Sequence, residues 1–127
     1  MDLYTVLNPD FRFEDERGAL VQLVSGGYEQ VNVLTTRAGV VRGGHFHKET
    51  TEAFYVVNGA VTVTFERNEE TRTETFTEGM FFCVNPFVVH TMAFAVDTTL
   101  VALYARSVER KDGTKDIYRR EEAEWSD

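Results

Sequence analysis

From about Leu3 to Arg106, short runs of β-branched and aromatic residues alternate with clusters of Gly, Asn, Asp and Thr, and the 3.6-residue period of a helix is weak. This pattern predicts an all-β sandwich or barrel. The expected strands are "GALVQLV", "QVNVLTT", "VVRGGHFH", "AFYVV", "AVTVTFE", "RTETFT", "MFFCV", "HTMAFA" and "TLVALYAR". Asn58-Gly59 lies between two alternating runs, so it predicts a two-residue hairpin that pairs 53–58 with 60–67. "ERNEETR" reads as a second, looser hairpin loop, and "FTEGM" as a turn through Gly79. After Arg106 charges dominate, and the segment predicts a loop followed by a short helix from Arg119 to Trp125.

A chain of 127 residues is long enough to bury one core and short for two, so one domain is expected. Ten Phe and five Tyr supply the bulky side chains for its interior. The formal charge of −8 opposes binding to a phosphate backbone or an anionic membrane. No stretch is apolar for long enough to span a bilayer and the start has no basic leader, so a cytoplasmic location is expected. Cys83 is the only cysteine, and its setting in "MFFCV" predicts a buried, inert thiol.

The segment "GVVRGGHFHKETTEAFYVVNG" places two of the three histidines one residue apart. On a strand, alternate side chains share a face, so His45 and His47 converge. Glu52 opens the next strand on the face of Phe54 and Val56, and His90 opens a run in which Met92 and Phe94 share its face. A His-x-His pair alone arises often by chance, and a histidine among apolar neighbours is as a rule a hydrogen-bonded core residue. Four donors aimed at one point suggest a ligand set of His45, His47, Glu52 and His90, suited to Zn, Fe, Mn, Ni or Cu.

The spacing from Gly39 through His45, His47 and Glu52 to Gly59 resembles the first cupin motif. Gly79, Asn85-Pro86-Phe87 and His90 resemble the second, although cupins usually carry Pro at position 85, Gly at 87 and Asn at 94. The missing glycine predicts a different turn before His90. The resemblance implies a single cupin-type β-barrel, or jelly roll, over 1–127, with the barrel at about 15–106 and a charged C-terminal segment at 107–127.

Three sugar-modifying groups are more similar. "GVVRGGH" and "DERGAL" resemble segments of dTDP-4-keto-6-deoxyhexose 3,5-epimerases. "RGGHFHK" and the late "DIYR" resemble sugar 3,4-ketoisomerases. "HFHKETTEAFYVVNG" resembles the cupin domain of capsular polysaccharide reductases, which implies zinc. The implied function is isomerisation or epimerisation of a nucleotide-linked 4-keto-6-deoxy sugar. His47 would be the base and His45 the orienting group, and Arg17, Arg42 and, third, Arg106 would hold the diphosphate.

A histidine nitrogen that binds a metal cannot also accept a proton. With a metal held, a tyrosine, Tyr104 or Tyr55, would have to move the proton. The expected cofactor is a divalent metal, zinc first and then iron, manganese or nickel, with no organic cofactor. A homodimer is expected, with "LYTVLNPDF" able to extend a neighbour's sheet. The competing readings are a metal-dependent oxygenase or hydrolase acting on a small organic acid, and a non-catalytic sugar-binding cupin.

Overall fold

The structure is a computed structural model that describes residues 2–124. Its strands are β1 (Tyr4–Leu7), β2 (Phe11–Asp15), β3 (Gly18–Gln22), β4 (Gln30–Thr36), β5 (Val41–Phe46) and β6 (Glu52–Asn58). These are followed by β7 (Ala60–Arg67), β8 (Glu70–Thr77), β9 (Phe81–Val84), β10 (Val89–Ala93), β11 (Thr98–Tyr104) and β12 (Tyr118–Arg119). Two five-stranded sheets, β1-β9-β6-β11-β4 and β12-β5-β10-β7-β8, face each other, and β2 and β3 form a separate hairpin. Every pairing between named strands is antiparallel, as in a jelly roll.

The strict alternation of β7 explains how the sheets join. Val61, Val63 and Phe65 are buried, whereas Thr62 and Thr64 pair across the outer face with Thr75 and Thr73. Opposite them, Phe54 and Val56 of β6 and Phe82 and Val84 of β9 fill the same core. Phe76 stacks on Phe82 with ring centroids 3.8 Å apart, and Tyr4 stacks on Phe65 at 4.5 Å. This aromatic plug closes one part of the barrel. Each ring removed from water contributes roughly 1.5–3 kcal/mol. A second apolar cluster on the outer face of the first sheet buries Ala53, Phe81, Cys83 and Leu103 beneath Leu23, Val24 and Tyr28. Cys83 is buried there as expected.

The structure departs from the sequence expectations at three joints. First, Asn58-Gly59 does not make a hairpin: β6 pairs with β9 and β11, and β7 pairs with β8 and β10. Gly59 instead turns the chain from one sheet to the other. Its φ is +91°, and a Cβ there would lie 2.5 Å from Thr98 Oγ1. The Thr98 hydroxyl takes the ladder position, accepting from Ala60 N–H and bonded to its carbonyl oxygen. Second, "ERNEETR" holds the tight hairpin, because Arg67 pairs with Glu70 across a two-residue loop in which Asn68 has φ 55°. Third, the C-terminal segment is part of the sheet. Tyr118 and Arg119 pair with Phe46 and His45, and among the described residues of this segment only Arg120–Glu122 turn as a 3-10 helix. Trp125, the expected end of that helix, lies outside the described residues.

The N-terminal run adds first to its own sheet, where Tyr4–Leu7 pair with β9, and among the described residues no strand pairs with the other edge of β1. No helix among the described residues is long and apolar enough to cross a membrane.

Candidate active site

A bulge in β5 aims the first imidazole. His90 pairs with His45 and Thr91 with Gly43, so Gly44 is the extra residue. The bulge needs glycine at position 43: φ is +95°, and a Cβ would stand 2.5 Å from the carbonyl oxygen of His90. As a result Arg42, opposite Met92, and His45, opposite His90, share the inward face despite being three residues apart. His47 follows the end of β5, and Glu52 opens β6 with its side chain turned inward beside Phe54.

The turn before His90 survives the loss of its glycine. Phe87 itself adopts φ 67°, and its N–H donates to the carbonyl of His47 at 2.7 Å. An aromatic residue in that region costs about 1–2 kcal/mol, offset here by the hydrogen bond and by stacking on Phe46. Phe87 thus takes the positive φ that a glycine adopts freely, and His90 reaches the site.

The ligand atoms of His45, His47, Glu52 and His90 all lie within 4.8 Å of one another. His47, Glu52 and His90 are 4%, 3% and 0% exposed, while His45 is half-buried and forms the accessible side of the group. Both buried imidazoles face a backbone carbonyl through Nδ1, His47 that of Asp116 at 2.5 Å and His90 that of Val88 at 3.1 Å. A carbonyl only accepts, so both Nδ1 atoms carry a hydrogen. Their Nε2 atoms then meet the same carboxylate oxygen, Glu52 Oε1, at 3.0 and 3.1 Å. Two bare lone pairs against a carboxylate would repel. The arrangement calls for positive charge, either protons on the rings or a cation among them.

The protonation preferences follow. Burial lowers the His45 pKa to about 4, helped by the charge on His90, so this ring is neutral at pH 7. Burial would lower His47 too, but the hydrogen bond and charge of Glu52, with the Asp116 carbonyl, raise it. Glu52 is pushed up by burial and held well below the carboxylate range by its bonds to His47 and His90. Tyr104 pairs with Glu52 across the sheet and stands edge-on to His47, with ring centroids 5.8 Å apart. Burial and the Glu52 charge push its phenol far up, so it holds its proton.

The other expected site residues are scattered. Tyr55 faces away and packs edge-on to Phe81. Arg42 reaches Thr36 Oγ1 at 2.8 Å at the rim of the barrel. Arg17 is exposed on the separate hairpin, doubly bonded to Asp15. Arg106 lines an outer cleft with Glu29, Glu49, Glu109 and Asp116. Sequence reasoning did not single out Asp116. Its signal was a resemblance, the "DIYR" run, with no mechanism attached.

Comparison with known proteins fits this architecture. A search of curated protein sequences returns no match. The QdtA 3,4-ketoisomerase from Thermoanaerobacterium thermosaccharolyticum, solved as a mutant with TDP-4-keto-6-deoxyglucose, superposes with TM-score 0.81 at 17% identity, covering 97% of this chain and 95% of that one. The WlaRB TDP-quinovose 3,4-ketoisomerase from Campylobacter jejuni gives 0.77 at 14% identity, covering 91% and 94%. A dTDP-4-dehydrorhamnose 3,5-epimerase from Sulfolobus tokodaii gives 0.67 at 17%, covering 81% and 75%. These likenesses establish the fold, a cupin jelly roll. The sequence profile of the polysaccharide biosynthesis C-terminal domain matches residues 13–108, from β2 past the last long strand and across all four converging side chains. The chain is therefore a member of the polysaccharide biosynthesis C-terminal domain family.

Proposed function

We propose that this protein isomerises or epimerises a nucleotide-linked 4-keto-6-deoxy sugar by proton transfer next to the carbonyl, as a one-domain cytoplasmic enzyme of polysaccharide or deoxysugar biosynthesis. The observation that carries the reading is the convergence of three imidazoles and one buried carboxylate, in a fold shared with sugar 3,4-ketoisomerases and a 3,5-epimerase. Those neighbours weigh against the oxygenase or hydrolase reading.

The reaction needs a base for the α-proton, a group that stabilises the enolate and an acid that returns the proton. Both nitrogens of His47 are engaged, as are both of His90. His45 is neutral, half-buried and faces the open side, so the geometry favours His45 as the base. In this assignment the roles expected from resemblance are exchanged: His47 holds Glu52 in place and keeps positive charge beside the developing enolate. The protonated Tyr104 supplies the acid. Arg42, at the rim on the face of His45, is the first candidate for the diphosphate, with Arg17 and Arg106 further out.

The quartet also fits a divalent cation, zinc first and then iron, manganese or nickel. Metal–ligand bonds of about 2.0–2.2 Å set donors roughly 3–4 Å apart, close to the spacing here. The Nδ1 bonds to carbonyls are the outer contacts that orient histidine ligands. Such a cation would supply Lewis-acid polarisation of the sugar carbonyl. With His45 engaged as a ligand, Tyr104 would still hold the proton that is returned to the sugar. The open edge of β1 and the exposed Phe11, Phe13 and Leu20 on the detached hairpin support a homodimer.

Metal analysis followed by incubation with dTDP-4-keto-6-deoxyglucose in deuterated water tests the reading. Deuterium should enter the carbon beside the keto group. Binding without exchange would point to a non-catalytic cupin, and bound iron with oxygen uptake to an oxygenase. Both His45→Ala and His47→Ala should fold and lose about 10²-fold or more in turnover. Unchanged turnover in either would contradict its role.

A further inference from the structure

We propose that Asp116 is a positioning residue that builds the candidate active site from outside it, by fixing both the backbone of the connection after β5 and the ring orientation of His47 through its Nδ1. Its carboxylate is 1% exposed and accepts three successive backbone N–H groups, Lys48 at 2.8 Å, Glu49 at 3.0 Å and Thr50 at 3.1 Å. Consecutive amides aimed at one anion form a concave nest, and the bonds are charge-assisted. The carbonyl of the same residue accepts from His47 Nδ1. Side chain and main chain of one residue thus act on the five-residue stretch that starts at His47 and ends just before Glu52.

The carbonyl is held from both sides. Asp116 N–H donates to Val108 at 2.9 Å, and Tyr118 and Arg119 pair with Phe46 and His45. Thr50 adds a cross-tie, its hydroxyl accepting from Arg106 N–H at 2.9 Å. With Nδ1–H committed to the Asp116 carbonyl, Nε2 is the nitrogen of His47 that faces Glu52 and the centre of the group. Without the nest, the connection loses its register and His47 the partner of its Nδ1, although the aromatic core is untouched. The inference rests on the isomerase reading only for its kinetic consequence.

The test uses the full chain, treated with chelator, with nitrogen-15 in its histidines, and reads whether each Nδ1 bears a hydrogen. In the wild type, His47 and His90 should both show a protonated Nδ1. In Asp116→Ala, His47 should lose that signature while His90, held by Val88, keeps it. Asp116→Asn, which preserves shape and one acceptor, should restore it in part and carries the test if the alanine variant does not fold. Turnover should fall about 10- to 100-fold with KM little changed. An unchanged His47 nitrogen in both variants, or equal shifts at His47 and His90, would overturn the proposal. If the wild type shows no deuterium exchange, the isomerase reading fails, while the nitrogen signals still decide the role of Asp116.

Discussion

Glu52 is the residue on which the site turns, because one of its oxygens faces two imidazole nitrogens at 3.0 and 3.1 Å. Glu52→Gln keeps the size but removes the charge that favours His47 protonation. The variant should fold, lose about 1–3 kcal/mol and titrate His47 at lower pH than the wild type, as urea denaturation and proton NMR would show. His45 gives a pH signature of its own. Its pKa is about 4 in the folded chain and near 6.5 when unfolded, so between these values the unfolded state binds more protons. Stability of the metal-free protein must therefore fall as pH drops from 6.5 towards 4, at up to about 1.4 kcal/mol per pH unit from this group. His45→Gln should flatten that slope in urea titrations; an unaltered slope would show that His45 is not the neutral ring described.

At the scale of elements, two positive-φ residues play opposite parts. Gly43 combines φ +95° with a close approach to the His90 carbonyl, so Gly43→Ala should cost more than about 2 kcal/mol and disturb both histidines. Asn68 has φ 55° at an open hairpin tip, so Asn68→Gly should be nearly neutral. Comparing the two by thermal melting separates conformational strain from packing. Strand faces were legible in the sequence: Gln30–Thr36 appears with its expected bounds, and Glu52 shares a face with Phe54 and Val56. Sheet membership was not. Asn58-Gly59 looks the same whether the flanking strands pair or part, and the contact that decides lies at Thr98.

For the whole molecule, the aromatic plug and the polar site divide the barrel between them. Phe82 touches Phe54, Phe65 and Phe76, so Phe82→Ala should cost about 3–5 kcal/mol in urea denaturation. Cys83 reports on the same structure from the outer cluster. Burial raises its pKa, so a thiol reagent should modify it only as fast as the chain opens. Rapid labelling of the native protein would show that the outer cluster is looser than described.

Alternation, turn residues and motif spacing determined that this chain is a β-barrel and that His45, His47, Glu52 and His90 belong together, because facing and spacing are local properties of a strand. Tertiary structure decided which sheet each strand joins, which histidine stays open, and that Tyr104 rather than Tyr55 borders the site. It also decided the part of Asp116, whose carbonyl meets an imidazole 69 residues away. A backbone oxygen carries no signature in the sequence, so such a contact exists only once the chain has closed on itself.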